Sequence, residues 1–282
     1  MMFDYKLFQS DGYFIHKFEQ LNALVEIQKL CTSLCQKTFA TEFTELAKYH
    51  ELAISAEKHD KFQFLVYQKI NELKLHQQFV NDNIDFFVAI FGPDIDLQTN
   101  TYLRIARPNQ ELDNIGMHRD TDYGNSAFEI SISLPLISQT QGCGLNIVPK
   151  SHLFTEHIVE QVNREDVEKG TNKNEMGFLY APKQLKNLKE EQLKCISLPF
   201  GNGLGFSLGL IHGQKINTSN MTRWSIDFRL KNSFHPISKN LKAGYYTRFK
   251  RGTISSIAED YYTVNNHELL DLNFQFNQST NT

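Results

Sequence analysis

The chain has 282 residues, of which 40% are hydrophobic and 22% charged, an ordinary globular balance that can bury a sizeable core. A net charge of −3 provides no basic surface for a nucleic-acid backbone, and the longest apolar run, FFVAIF, is far too short to cross a bilayer. The opening MMFDYKLFQSDG lacks the basic-then-apolar pattern of a signal peptide, so we expect a cytoplasmic protein. In that compartment we expect reduced, buried thiols at the four cysteines, Cys31, Cys35, Cys143 and Cys195.

Helical periodicity dominates residues 19–90. The segment EQLNALVEIQKLCTSLCQKTF, residues 19–39, carries a broad apolar stripe and predicts an amphipathic helix. A second helical stretch, AEKHDKFQFLVYQKINELKLHQQFV, covers residues 56–80, and Gly92 with Pro93 ends the helical region. The stripe of the first helix consists of Leu21, Leu24, Val25, Ile27, Leu30, Leu34 and Cys35.

Short alternating runs separated by turn residues begin near residue 97. They are QTNTYLRIA, FEISISLPL, GLNIVP, CISLPF, GLGFSLGLIH and TRWSIDFRL, and this spacing predicts a β-sandwich or barrel. No linker divides the chain, so we predict a single α+β domain. It comprises a mainly helical support region (1–95), a β core (96–232) with a polar insert (163–192), and a C-terminal extension (233–282).

Three of the predicted strands alternate polar and apolar residues, and two explanations are open. In the first explanation the polar faces belong to a sheet with one solvated side, which is the simpler explanation of the pattern alone. Alternatively, they point inward and line a polar cavity, while helices cover the apolar faces. The polar positions are Tyr102, Arg104, Glu129, Ser131, Ser133, Arg223, Ser225, Asp227 and Arg229.

Potential metal ligands follow the first of these strands, in GMHRDTDYG. His118 and Asp120 are two residues apart, which places both on one face of an extended chain. A second histidine, His212, ends the apolar run GLGFSLGLIH, and Arg223 follows eleven residues later. Two histidines and one carboxylate form the facial triad of non-haem Fe(II) oxygenases. The guanidinium fork of an arginine is suited to binding the carboxylate of a co-substrate.

This order of residues resembles that of Fe(II)/2-oxoglutarate-dependent dioxygenases, and within them the phytanoyl-CoA dioxygenase-like family. The matching pattern is HxD, a histidine about ninety residues later, arginine at +11 and Ser225 at +13. Three flanking segments are also similar to that family: FQSDGYFIHKF, SLPLISQTQGCGLNIVPKSH and HGQKINTSNMTRWSIDFR. The resemblance extends over most of residues 8–230. One departure is Lys150, which stands where the family usually has glycine.

The resemblance implies a double-stranded β-helix, or jelly roll, with Fe(II) at its mouth. It implies that His118, Asp120 and His212 bind the iron. Such enzymes use O2 and convert 2-oxoglutarate to succinate and CO2 while oxidising an unactivated C–H bond. Related halogenases lack the carboxylate ligand, so the presence of Asp120 favours hydroxylation. The residues implied for the co-substrate are Arg223, Ser225, Tyr102 and Ser133.

The substrate is less well defined by the sequence. A polar set of candidate lining residues favours a small hydrophilic substrate over a fatty acyl chain. The stretch MHRDTDYGNSAFEISISLPL is similar to bacterial family members associated with carbohydrate biosynthesis, which implies a sugar or sugar derivative. Alternatives are hydroxylation of an amino acid or acyl thioester, and a cupin-like metal- or sugar-binding protein without O2 chemistry. The candidate substrate residues are Arg104, Glu129, Ser131 and Asn217, with Lys150 near the rim.

Overall fold

The helices of the computed structural model confirm most of the predicted helical region. The structure describes residues 3–53, 55–123, 125–154, 159–160, 184–185, 188–237 and 244–265. Within these residues the helices are α1 (Tyr5–Asp11), α2 (Asn22–Phe39), α3 (Ala56–Glu72), α4 (Leu75–Asp82), α5 (Ile84–Phe91) and α6 (Thr253–Val264).

The predicted helix over residues 56–80 is in fact two helices. Lys74 has a φ of +53°, in the left-handed region, and this interrupts the helical hydrogen bonding between α3 and α4. The predicted end of the region is confirmed, since α5 stops at Phe91 and Gly92 follows with a φ of +79°. In α2 the apolar stripe is directed inward, with Leu24, Ile27 and other stripe residues in the main core.

The strands form a major and a minor antiparallel sheet. The strands are β1 (Tyr13–Lys17), β2 (Ile95–Gln98), β3 (Tyr102–Ala106), β4 (Ile130–Pro135), β5 (Leu145–Ile147), β6 (Val159–Glu160), β7 (Gln184–Leu185), β8 (Lys194–Ile196), β9 (Asn202–Ser207), β10 (His212–Gly213), β11 (Arg223–Asn232) and β12 (Tyr246–Lys250). The major sheet has the order β1-β9-β4-β11-β2-β12, with β3 also paired to β11. The minor sheet has the order β10-β5-β8, and β6 pairs with β7 separately.

The strand connections are those of a double-stranded β-helix, as predicted. The chain passes from β3 and β4 in the major sheet to β5 and β8 in the minor sheet, then alternates through β9, β10 and β11. His118 pairs with His212 and so continues the minor sheet beyond β10. An apolar cluster joins residues of the two sheets, and consists of Tyr13, Ile147, Ile196, Leu198, Leu204, Phe206 and Leu210.

The central strand β11 decides between the two explanations of the alternating pattern. Its apolar face packs against the helical region, where the indole N–H of Trp224 donates to the carbonyl of Leu46 at 2.8 Å. Its polar face is also buried, since Arg223 is 1% exposed and Ser225 0% exposed. The polar faces therefore point into the fold, and the solvated-face explanation is wrong for this strand.

The chain ends contribute strands as well as helices. β1, in the predicted support region, pairs with β9, and β12, in the predicted extension, pairs with β2. The single-domain division stays a prediction, and most of the predicted insert (163–192) lies outside the described residues. No helix among the residues described is long and apolar enough to cross a membrane. Three cysteines are buried free thiols as predicted, whereas Cys195, on the edge strand β8, is exposed.

Candidate metal centre

Three side chains converge beside the antiparallel bridge between His118 and His212. His118, Asp120 and His212 each place one potential ligand atom within 4.8 Å of the others, and all three residues are buried. The Nε2 atom of His118 lies 3.5 Å from Asp120 Oδ1, and that of His212 lies 3.9 Å from Asp120 Oδ2. Two imidazoles and a carboxylate at these separations can hold a divalent transition metal.

The backbone positions the two histidines, whereas a turn positions the aspartate. His118 and His212 form an antiparallel bridge, so their spacing is set by main-chain hydrogen bonds. Asp120 is not on the extended chain that the same-face prediction assumed. It begins a 3-10 turn, Asp120–Tyr123, which bends the chain just after the bridge and still brings the carboxylate to the histidines.

Both imidazoles present an unprotonated nitrogen to the site. Nδ1 of His118 contacts the carbonyl of Gly116 at 2.7 Å, and Nδ1 of His212 contacts the carbonyl of Leu210 at 2.9 Å. A carbonyl only accepts, so in each ring Nδ1 donates and a neutral imidazole keeps Nε2 free as a ligand. Burial, reinforced by the neighbouring His118, lowers the pKa of His212 to about 4. This tautomer suits metal binding.

Arg229 is a member of the site that sequence reasoning missed. Its Nη2 atom lies 2.8 Å from Asp120 Oδ2, and its Nη1 atom donates to Asn125 Oδ1 at 2.9 Å and to the hydroxyl of Tyr245 at 2.8 Å. Burial alone would raise the pKa of Asp120, but Arg229 and the two histidines hold it below its usual range. The available signal was the alternation of the strand: Arg229 is an even number of residues from Arg223 on β11, so both share its polar face.

Arg223 and Ser225 lie on this face with unsatisfied polar atoms. Among the residues described, the Nε atom of Arg223 and the hydroxyl of Ser225 are buried and have no hydrogen-bond partner. Burial lowers the pKa of Arg223, which the nearby Asp227 carboxylate partly offsets. Buried donors without partners are rare in folded proteins. A guanidinium beside a hydroxyl matches the oxygens of a carboxylate ligand.

The other predicted co-substrate residues lie on the same polar surface. The hydroxyl of Tyr102 is 3.2 Å from that of Tyr245, and its ring lies 5.1 Å from the guanidinium of Arg104. Arg104 in turn donates from Nε to Asp227 at 3.0 Å. Ser133 is buried and faces Asp227 in the register of β4 and β11. The co-substrate roles of Tyr102 and Ser133 stay predictions.

The predicted substrate residues have different surroundings. Glu129 is fully buried, accepts from the hydroxyl of Tyr246 at 2.6 Å, and has its pKa raised by burial. Ser131 is buried opposite Arg229 in the strand register. The amide of Asn217 is fully engaged: Nδ2 donates to two carbonyls, and Oδ1 accepts from the amide and hydroxyl of Ser219. This bonding favours a structural role for Asn217 in its loop.

Lys150 shows why its position favours glycine. Its φ of +68° is in the left-handed region that glycine adopts without a steric cost. Its amide donates to the carbonyl of Asp11 at 3.0 Å, which joins this turn to the end of α1. The described contacts therefore assign the Lys150 backbone a structural role, and its place at the rim stays a prediction.

No protein-family profile matches the chain, and no curated protein matches it in sequence. Solved structures do align with it. The non-heme monooxygenase ThoJ, in its apo form, is 13% identical over 93% of this chain and 94% of its own, with a TM-score of 0.49. EvdO2 from Micromonospora carbonacea var. aurantiaca, complexed with 2-oxoglutarate, is 11% identical over 86% and 96%, with a TM-score of 0.48. The epimerase SnoN, in complex with Fe3+, alpha ketoglutarate and nogalamycin RO, is 12% identical over 84% and 86%, with a TM-score of 0.47. Likenesses this distant do not decide a function, and membership of the phytanoyl-CoA dioxygenase-like family stays a prediction.

Proposed function

We propose that this protein is a non-haem Fe(II)/2-oxoglutarate-dependent oxygenase. The observation that supports this function is the combination of two features inside one jelly roll. A buried His–Asp–His cluster offers three metal ligands, and Arg223 on the polar face of β11 has a buried Nε without a partner. The far carboxylate of 2-oxoglutarate would provide the acceptor that this Nε–H lacks.

Each group has a distinct role in this proposal. His118, Asp120 and His212 hold Fe(II), which, when bound with 2-oxoglutarate, supplies the O2-dependent oxidation of a C–H bond. Arg223 binds the far carboxylate of 2-oxoglutarate through its planar fork, and the hydroxyl of Ser225 provides a further hydrogen bond. The burial of both residues excludes water, which strengthens this charge pairing.

For the main substrate we propose a small polar metabolite, with a sugar or sugar derivative as the first candidate and hydroxylation as the outcome. The polar surface beside the cluster supports this choice. The Arg104–Asp227 pair and the Tyr102 ring offer hydrogen bonds and a stacking face, whereas an acyl chain requires an apolar channel. An amino acid or acyl thioester is the alternative substrate. A cupin-like binding protein is the alternative of another class, and the buried Arg223 disfavours it.

The proposal is tested by an anaerobic titration of the metal-free protein with Fe(II) and then with 2-oxoglutarate. We expect a visible charge-transfer band when the keto acid chelates the iron. Pyruvate is the matched control because it has the same keto-acid end but no far carboxylate for Arg223. We expect it to require a much higher concentration. Failure to bind Fe(II), or equal affinity for both keto acids, would contradict the proposal.

The substrate class is tested under air by succinate release. Panels of sugars and nucleotide-linked sugars, amino acids and acyl thioesters are compared at equal concentration. We expect the sugar panel to stimulate release above the uncoupled background and to yield a hydroxylated product by mass spectrometry. Stimulation by amino acids or thioesters alone would replace the substrate proposal while leaving the oxygenase proposal in place.

A further inference from the structure

We propose that Arg229 is a positioning residue that holds Asp120 ready for the metal, and that Tyr245 from the C-terminal segment holds Arg229. The inference deepens the proposed function and rests on its metal site. It does not require 2-oxoglutarate or a particular substrate. It assigns a role at the metal centre to Tyr245, which lies in a part of the chain where the sequence indicated no site.

The contacts of the Asp120 carboxylate divide its two oxygens. Oδ2 is paired with Nη2 of Arg229 at 2.8 Å and lies 3.9 Å from Nε2 of His212, whereas Oδ1 lies 3.5 Å from Nε2 of His118. Both charged side chains are largely shielded from solvent, with 8% side-chain exposure for Asp120 and 11% for Arg229, so water cannot easily replace this pairing. Arg229 therefore fixes the orientation of the carboxylate, with Oδ1 nearest to His118 and Oδ2 nearest to Arg229 and His212.

Arg229 is itself fixed at two points. Its Nη1 atom donates to Asn125 Oδ1 at 2.9 Å, and the amide of the Asn125 side chain donates to the backbone carbonyl of Asp120 at 3.0 Å. These bonds close a ring that joins the carboxylate, the guanidinium and the main chain of the ligand residue. The same Nη1 atom donates to the hydroxyl of Tyr245 at 2.8 Å. The position of Asp120 therefore depends on a residue just before β12.

Two effects of Arg229 on metal affinity oppose each other. Its positive charge repels a divalent cation, while its hydrogen bond keeps the carboxylate in the ligating orientation. Removal of residues that orient metal ligands typically weakens metal affinity roughly 10- to 100-fold. We infer that orientation outweighs repulsion here, because Arg229 holds Asp120 at two points: it pairs with the carboxylate, and it holds the Asn125 side chain that donates to the Asp120 backbone carbonyl.

The first experiment compares Arg229→Met and Arg229→Lys by anaerobic Fe(II) calorimetry on the metal-free protein. We expect Arg229→Met to weaken Fe(II) binding roughly 10- to 100-fold, and Arg229→Lys to restore most of it. Lys231→Met is the matched control, since Lys231 is a buried cation on the same face of β11 that pairs with Asp96 at 2.9 Å. It should lower thermal stability without changing Fe(II) affinity. Unchanged or tighter Fe(II) binding by folded Arg229→Met would overturn the inference.

The second experiment uses two adjacent tyrosines and avoids removing a buried charge. Tyr245→Phe removes the hydroxyl that accepts from Arg229, whereas Tyr246→Phe removes one that donates to Glu129. We expect a several-fold weaker Fe(II) affinity for the first variant and an unchanged affinity for the second. Equal affinities would overturn the role of Tyr245. Wild-type protein that binds Fe(II) but not 2-oxoglutarate would contradict the oxygenase proposal and leave this inference standing. Wild-type protein that binds no metal would contradict both.

Discussion

His118 and His212 exchange both of their backbone hydrogen bonds. The amide of each donates to the carbonyl of the other, at 2.8 Å from His118 and 2.9 Å from His212. Two residues far apart in the sequence are thus held at a separation that no side chain determines. Because main-chain pairing fixes this spacing, the histidine pair is formed before any metal binds.

Gly213→Ala should disturb this pairing. A Cβ at position 213 would lie 2.7 Å from the carbonyl oxygen of Gly116 and 2.8 Å from the Cα of Met117, both of them rigid backbone atoms. We expect a loss of about 1–3 kcal/mol in the free energy of unfolding, and Fe(II) affinity weakened roughly tenfold or more. Chemical denaturation and calorimetry measure the two effects. Gly209→Ala is the control, since its nearest atom lies 3.6 Å away, and equal effects for both variants would refute the close-packing argument.

His212→Ala and Asp120→Ala should each lose Fe(II) binding while keeping the fold. Two remaining protein ligands rarely hold Fe(II) against water, and the removed side chains line the metal site rather than the apolar core. Calorimetry at concentrations that saturate the wild type measures binding, and circular dichroism checks the fold. His152→Ala is a suitable control because His152 contacts only the Gln9 carbonyl among its described hydrogen bonds. Wild-type affinity in either triad variant would show that another residue is the ligand.

Arg223→Lys should weaken 2-oxoglutarate binding more than Fe(II) binding. Lysine keeps the charge but loses the planar fork, and Arg223→Met loses both, so the effect should increase in that order. An unpaired buried charge costs about 2–5 kcal/mol, or roughly thirty- to several-thousand-fold in affinity, which sets the range for Arg223→Met. Titration of the Fe(II)-loaded variants with 2-oxoglutarate gives the affinities. An unchanged 2-oxoglutarate curve would leave the metal site in place and remove the co-substrate from Arg223.

The buried His76 should make stability depend on pH. Burial lowers its pKa from 6.5 to about 4, although a hydrogen bond from Nε2 to the Gln98 carbonyl opposes the shift. In the unfolded chain the His76 imidazole is therefore protonated as the pH falls below 6.5, whereas in the folded protein it stays neutral until about pH 4. The contribution of His76 to the free energy of unfolding is therefore fully present above pH 6.5. It falls by about 3 kcal/mol as the pH decreases from 6.5 to about 4. Urea unfolding from pH 7 to pH 4 should show a weaker pH dependence in His76→Gln. Parallel curves for the two proteins would disprove the assignment.

The apolar faces of individual helices and strands, and most of the candidate site residues, could be predicted from the sequence. The apolar stripe of α2, the parity of β11 and the order of His118, Asp120 and His212 could all be read from spacing. What spacing cannot give is the partner of a side chain. Arg229 lies on the same face of β11 as Arg223. Arg229 nevertheless pairs with the side chain of Asp120, whereas Arg223 has a buried Nε without a hydrogen-bond partner.

The conformation of individual backbone residues was a second feature that the sequence pattern did not predict. The helical pattern over residues 56–80 continues through Lys74, because periodicity reports which face is apolar and is insensitive to a single left-handed residue. The exposure of Cys195 depends on where β8 lies in the minor sheet and on which of its faces the side chain occupies, and composition reports neither. The first error concerns the backbone conformation of one residue, and the second concerns tertiary arrangement.

The position of β11 also constrains how the chain is made. This strand pairs with β2, β3 and β4, all of which precede it in the sequence. During synthesis those strands leave the ribosome before β11 does, and the edges that pair with it stay unpaired until residues 223–232 have been made. A nascent chain that stalls before this point presents unpaired strand edges and uncovered apolar faces, which are the features that chaperones bind and that promote aggregation. The strand that carries Arg223 and Arg229 is therefore also the strand that completes the centre of the major sheet.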